Sequence, residues 1–135
     1  QFQIWTASSH AKAYATLATP AALEAAKKLG IADPQKDEKC LSCHATANFL
    51  KAPADVSYKV EEGVGCEACH GPGSDYKAMA VMKDRAKAVA AGMVVPDEKT
   101  CLQCHNEKSP TYKPFNFAEM SKKIAHPAPK AEAAK

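Results

Sequence analysis

Three copies of Cys-x-x-Cys-His punctuate this chain: Cys40-Leu41-Ser42-Cys43-His44, Cys66-Glu67-Ala68-Cys69-His70 and Cys101-Leu102-Gln103-Cys104-His105. Two thiols at this spacing can form thioethers to the vinyl groups of one porphyrin. The imidazole that follows is then held against the ring as an axial ligand to its iron. The motifs therefore read as three covalently attached haem c groups (iron). Cys40, Cys43, Cys66, Cys69, Cys101 and Cys104 are the attachment residues, and His44, His70 and His105 the proximal metal ligands. The chain has six cysteines, and the three motifs use all of them. A zinc ribbon needs two Cys-x-x-Cys pairs per metal and would leave one pair over. Neither a ribbon nor a disulfide framework asks for a histidine after every second cysteine.

The histidine count constrains the irons further. Of five histidines, three are proximal, which leaves His10 and His126 as distal ligands for three irons. At most two haems can have bis-histidine ligation from this chain. The remaining one is five-coordinate or takes Met79, Met82, Met93 or Met120. Bis-histidine ligation tends to hold the reduction potential low, whereas a methionine raises it. An open iron face would admit a small molecule such as nitric oxide. The competing structural readings are a buried helix residue for His10, a surface residue for His126, and packing along a helical stripe for the methionines.

The elements that must position these residues are short. Residues 8–18 carry His10, Ala13, Tyr14 and Leu17 at helical spacing, which predicts a helix with His10 on its buried face. Thr19-Pro20 reads as an N-cap with Pro at N1, opening an alanine-rich helix that stops at Gly30. Asp33-Pro34 marks a turn. The first and third motifs share a repeat, Asp37-Glu38-Lys39-Cys40 against Asp97-Glu98-Lys99-Thr100-Cys101, predicting short helices with acidic starts that suit the helix dipole. Residues 51–65 read as a loop with at most a short extended piece from Val56 to Val60. Gly71-Pro72-Gly73 ends the second motif. From Ser74 a helix is expected to run to Ala91, with Gly92 as its stop and Met79, Met82, Ala86 and Val89 as an apolar stripe. Asn116 resembles the start of a capping box for a last helix, with Phe117, Met120 and Ile124 on one side.

The chain is 135 residues long, with 7% aromatic and 24% charged residues. This is one domain's length and a thin apolar supply, which three large apolar cofactors would supplement. The expected fold is mainly α: a multihaem cytochrome with short helices packed around three haems and little or no sheet. Residues 1–126 form a single domain, and residues 127–135 a disordered Pro/Ala/Lys tail. Formal net charge is +3, but three haems add six propionates, so the loaded protein is acidic before the irons are counted. No Lys/Arg block interleaves with aromatics, which argues against nucleic acid. No apolar run is long enough for a transmembrane helix. Covalent haem attachment takes place outside the cytoplasm, which implies a periplasmic or otherwise extracytoplasmic protein whose leader is removed.

The residues also resemble a known family. Trp5-Thr6-Ala7-Ser8-Ser9-His10-Ala11-Lys12-Ala13-Tyr14 and Gly63-Val64-Gly65-Cys66-Glu67-Ala68-Cys69-His70-Gly71-Pro72-Gly73 are similar to segments of the cytochrome c-554 family, as are Tyr112-Lys113-Pro114-Phe115 and the stretch from Phe117 to His126. That family holds four c-type haems in a mainly helical chain, and its members are periplasmic electron carriers, so the expectation here is an electron carrier and not an enzyme. The resemblance implies His10 as distal ligand to the Cys66/Cys69 haem and His126 as distal ligand to the Cys101/Cys104 haem. It also implies a five-coordinate Cys40/Cys43 haem with its open face near Lys113 and Phe115. Lys113, where the family has a smaller side chain, would crowd or ligate that iron. The family's first motif lies upstream of the segment matching Gln1 to Trp5, and its distal histidine would fall near Ala80. This chain therefore reads as a three-haem variant, or as one whose upstream haem uses Met79 or Met82. The implied function is electron relay between redox protein partners, such as a multihaem oxidoreductase or a quinone-linked cytochrome. The alternatives are small-molecule redox chemistry, for example nitric oxide reduction, at the Cys40/Cys43 haem, or a subunit of a larger cytochrome assembly.

Overall fold

The computed structural model describes residues 1–51 and 57–127. Among them the regular structure is helical throughout, in ten short α-helices and one 3₁₀ turn. Nearly every expected cap is made. In α3 (Pro20–Lys28) the Thr19 hydroxyl accepts from Ala22 N, and Pro20 sits at N1. Gly30 follows with φ +69°. Asp37 caps α4 (Glu38–His44) by accepting from Lys39 N at 2.8 Å. Asp97 and Thr100 form a reciprocal capping box on α9 (Glu98–Leu102). Asn116 caps α10 (Phe117–Ile124) through Glu119 N. Each side-chain oxygen satisfies an N–H that a helix start leaves without an internal partner.

Two expected helices are broken. The 8–18 helix is reduced to α2 (Ala13–Thr16), preceded by turns. In a continuous helix the His10 carbonyl would accept from Tyr14 N. Here it accepts from Ala13 N at 3.1 Å and, across the chain, from Val64 N at 2.9 Å. The tertiary bond replaces the helical one. The predicted burial still holds, with Leu17 buried and His10, Ala13 and Tyr14 half-buried.

The 74–91 helix is likewise divided, into a turn at 74–76, α7 (Met79–Met82) and α8 (Arg85–Ala90). Asp84 restarts the helix by accepting from Ala86 N and Lys87 N, a local alternative to continuing it. Met79, Met82 and Val89 are exposed, and Ala88 is the buried residue of α8. Among the described residues, the anticipated stripe is thus left open rather than covered by polypeptide. Of the Val56–Val60 piece, Val56 lies outside the described residues, and Val60 opens the 3₁₀ turn Val60–Glu62 rather than an extended strand. Residues 128–135 of the tail also lie outside them.

The core is small. Leu17, Leu41 and Ala45 are its buried members, with Tyr14, Cys40 and Val60 packed against them. It therefore sits at the first motif, joining α2, α4 and the 3₁₀ turn. Elsewhere the chain is pinned by polar contacts: the Tyr76 hydroxyl donates to the carbonyls of His70 and Gly71, at 3.0 and 2.6 Å.

Candidate functional site

Each motif occupies a helix or its last turn. Cys40, Cys43 and His44 lie on α4. Cys66, Cys69 and His70 lie on α6 (Cys66–His70). Cys101 lies on α9, and Cys104 and His105 follow in the next turn, where both amides donate to the Cys101 carbonyl. Residues three apart share a helix face, so each cysteine pair points to one side. The short helices with acidic starts that the repeat predicts are present at the first and third motifs, where Asp37 and Asp97 also act as N-caps.

Three imidazoles are oriented from behind. His44 Nδ1 donates to Ala13 O at 2.8 Å, His70 Nδ1 to Val94 O at 2.9 Å, and His126 Nδ1 to Ile124 O at 2.9 Å. A carbonyl can only accept, so the proton is on Nδ1 and the Nε2 lone pair is free for a metal. The Val94 arrangement is reciprocal, because Val94 N donates to His70 O at 2.9 Å.

The five histidines sort into two pairs and one remainder. The His10 and His105 rings lie 6.0 Å apart between centroids at 76°, and those of His70 and His126 lie 5.9 Å apart at 89°. Two metal–nitrogen bonds of about 2 Å, plus about 1 Å from each nitrogen to its ring centre, span roughly 6 Å. Both separations accommodate one iron between two imidazoles. Among the described residues no second imidazole faces His44.

This pairing differs from the one implied by resemblance. His10 stands against the proximal histidine of the third motif rather than the second, and His126 against that of the second rather than the third. The His10 backbone is held by a tertiary bond from Val64 N, which motif order does not encode, whereas the ring of His126 is held locally by Ile124 O. Phe115, expected near the Cys40/Cys43 site, stacks on His105 at 4.8 Å and 25°. Met79 and Met82 are exposed.

Burial lowers the pKa of His10, helped by the neighbouring His105, and burial also lowers that of His105. Both changes favour the neutral, ligating form. The motif thiols converge as well. In the free-thiol chain Cys43 and Cys104 share a hydrogen bond, which pulls Cys43 down to about 6 and pushes Cys104 up. Cys69 is raised by burial and by its interaction with Cys101. The third motif thus interacts with both of the others.

Among the described residues no group of three or more His, Cys, Asp or Glu is arranged to hold a bare metal ion. Paired and single imidazoles beside paired thiols instead fit a metal already enclosed by a porphyrin.

Some supporting residues carried no sequence signal. Thr46 is buried and bonds Gly63 and Gly65. The Val94 carbonyl orients His70. Trp5, which belongs to a segment of the resemblance, donates its indole N–H to Val64 O at 2.8 Å.

Residues 1–71 match the family described as cytochrome c554 and c-prime. This stretch, about half the chain, includes His10 and the first two motifs. Cytochrome c-554 of Nitrosomonas europaea is 36% identical over 87 residues, covering 57% of this chain and 35% of that protein. The chain thus matches about a third of its relative's length. No solved structure matches. The chain belongs to the cytochrome c554 family, whose cofactor class is covalently bound c-type haem.

Proposed function

We propose that this chain is a three-haem c-type cytochrome that carries electrons between redox proteins outside the cytoplasm. Haem iron supplies one-electron exchange between its ferric and ferrous states. The polypeptide supplies thioether anchors at Cys40, Cys43, Cys66, Cys69, Cys101 and Cys104. It also supplies proximal imidazoles at His44, His70 and His105 and distal ones at His10 and His126. Residues 1–126 would form the cytochrome domain. The observation that carries this reading is the pair of imidazole–imidazole separations near 6 Å. Four histidines from four different segments meet two by two at a distance one metal would bridge. No helix among the described residues is long and apolar enough to cross a membrane, and the partners are proposed as redox proteins.

His44 supports a second activity. Its Nδ1 is anchored as firmly as that of His70, yet no imidazole stands opposite. The first motif would then hold a five-coordinate haem that binds a small molecule such as nitric oxide. Intact-mass measurement of the oxidised protein should give three haems. Its electron paramagnetic resonance spectrum should show two low-spin ferric signals and one high-spin signal abolished by nitric oxide. Fewer haems would overturn the three-haem reading. Three low-spin signals indifferent to nitric oxide would overturn the open site and leave a pure electron conduit.

A further inference from the structure

Thr46 is the buried polar side chain of the described residues. It lies two positions after His44, opens α5 (Thr46–Leu50) and reaches across 17 residues to the segment that leads into the second motif. Its amide and its hydroxyl both donate to Gly63 O at 3.1 Å, and the hydroxyl accepts from Gly65 N at 2.7 Å. Residues 63–65 are therefore gripped on either side of Val64.

Val64 faces the other way. Its amide donates to His10 O at 2.9 Å, and its carbonyl accepts from the Trp5 indole. The two strands of chain are in close contact here. A Cβ at Gly63, where φ is +67°, would lie 2.7 Å from His10 O and 3.2 Å from both Ala11 O and Ala13 N. Only glycine permits that approach. Gly65 then serves as the N-cap of α6, which starts at Cys66.

We propose that Thr46 is a positioning residue for the His10 imidazole. By clamping Gly63 and Gly65 it fixes Val64, and Val64 fixes the His10 backbone so that its ring stands against His105. The hydroxyl joins all three sites, because it follows the first motif, holds the lead-in to the second and sets the distal histidine facing the third. This inference rests on the reading of His10 as an iron ligand. It adds a residue that touches neither iron nor porphyrin.

The isosteric Thr46→Val exchange removes the hydroxyl's two bonds and keeps the side-chain shape, whereas Thr46→Ser keeps the bonds. Each variant is matured as holoprotein and its haems counted by intact mass, then titrated with cyanide while the low-spin signals are followed by electron paramagnetic resonance. In Thr46→Val, the low-spin signal that His10→Ala abolishes should shift and yield to cyanide roughly tenfold faster, the scale of one or two lost hydrogen bonds. The His70/His126 signal, reached only through the lead-in to its helix, should shift less than the His10/His105 signal, and Thr46→Ser should restore the wild-type rate. Gly65→Ala is a milder probe should Thr46→Val not mature. Its Cβ would sit 3.3 Å from the Thr46 hydroxyl, displacing that group without removing it, and it should produce a smaller change of the same kind. A lower melting temperature with unchanged signal and cyanide rate in either variant would overturn the proposal and leave Thr46 as a purely stabilising contact. If His10→Ala itself leaves all low-spin signals intact, the ligand reading beneath it has failed instead.

Discussion

The imidazole of His10 stands 6.0 Å from that of His105, although 95 positions separate them in the chain. His126 stands likewise against His70, so the two distal candidates are crossed relative to the simplest order of motifs. His10→Ala should convert the haem at Cys101/Cys104 from low-spin to high-spin, and His126→Ala the haem at Cys66/Cys69. Methyl resonances assigned to each haem in paramagnetic NMR would distinguish the two. The reverse assignment would restore the pairing implied by resemblance and contradict the geometry.

The same pairing leaves His44 without a partner imidazole, so the Cys40/Cys43 haem should take up an external ligand without displacing a side chain. Cyanide or nitric oxide should bind one iron rapidly and stoichiometrically in the wild-type protein. Two irons should become rapid binders in His10→Ala, and three in the double His10→Ala, His126→Ala variant. A wild-type protein with no rapid site would mean that a methionine or Lys113 already occupies that position.

The three Cys-x-x-Cys-His motifs were legible in the sequence because they are local. Five consecutive residues carry each thiol pair and its histidine, and a turn of helix suffices to present them. Caps were legible for the same reason at Thr19 and Asn116, and the acidic helix starts at Asp37 and Asp97 serve as caps too. The histidine pairing was not legible, because it depends on long-range contacts such as Val64 N to His10 O. That bond also ended the helix expected over residues 8–18, since a carbonyl committed to a distant amide is drawn out of the regular ladder. Thr46 had no pattern to betray it: only its burial and the two bonds of its hydroxyl mark it out.

Gly71 ends α6 with φ +74° and ψ 170°, a conformation reserved for glycine. A Cβ there would meet Val94 Cγ2 at 3.3 Å, and Val94 O is the group that orients His70. Gly71→Ala should therefore lower stability by about 1–3 kcal/mol through backbone strain. It should also shift the signal of the His70/His126 haem more than that of the His10/His105 haem. Thermal unfolding of the holoprotein checks the first effect, and electron paramagnetic resonance the second. Gly30→Ala, where φ is +69° but a Cβ would meet nothing within 4 Å, should strain the backbone without shifting either signal.

Burial lowers the pKa of His10 and of His105 below the usual histidine value of 6.5. The folded chain therefore resists protons that the unfolded chain accepts. Above pH 6.5 both states carry neutral imidazoles, and the stabilising contribution is complete. As the pH drops below 6.5, the unfolded state gains protons first, so the contribution is lost progressively as the pH falls through the lowered folded values. An iron bound between the two rings would act in the same direction, because it too requires neutral nitrogen. The melting temperature of the holoprotein should fall between pH 7 and pH 5, and the fall should be shallower in His10→Ala, which has one such histidine fewer. An equal slope in the variant would show that the acid sensitivity arises elsewhere and that the buried pair does not control it.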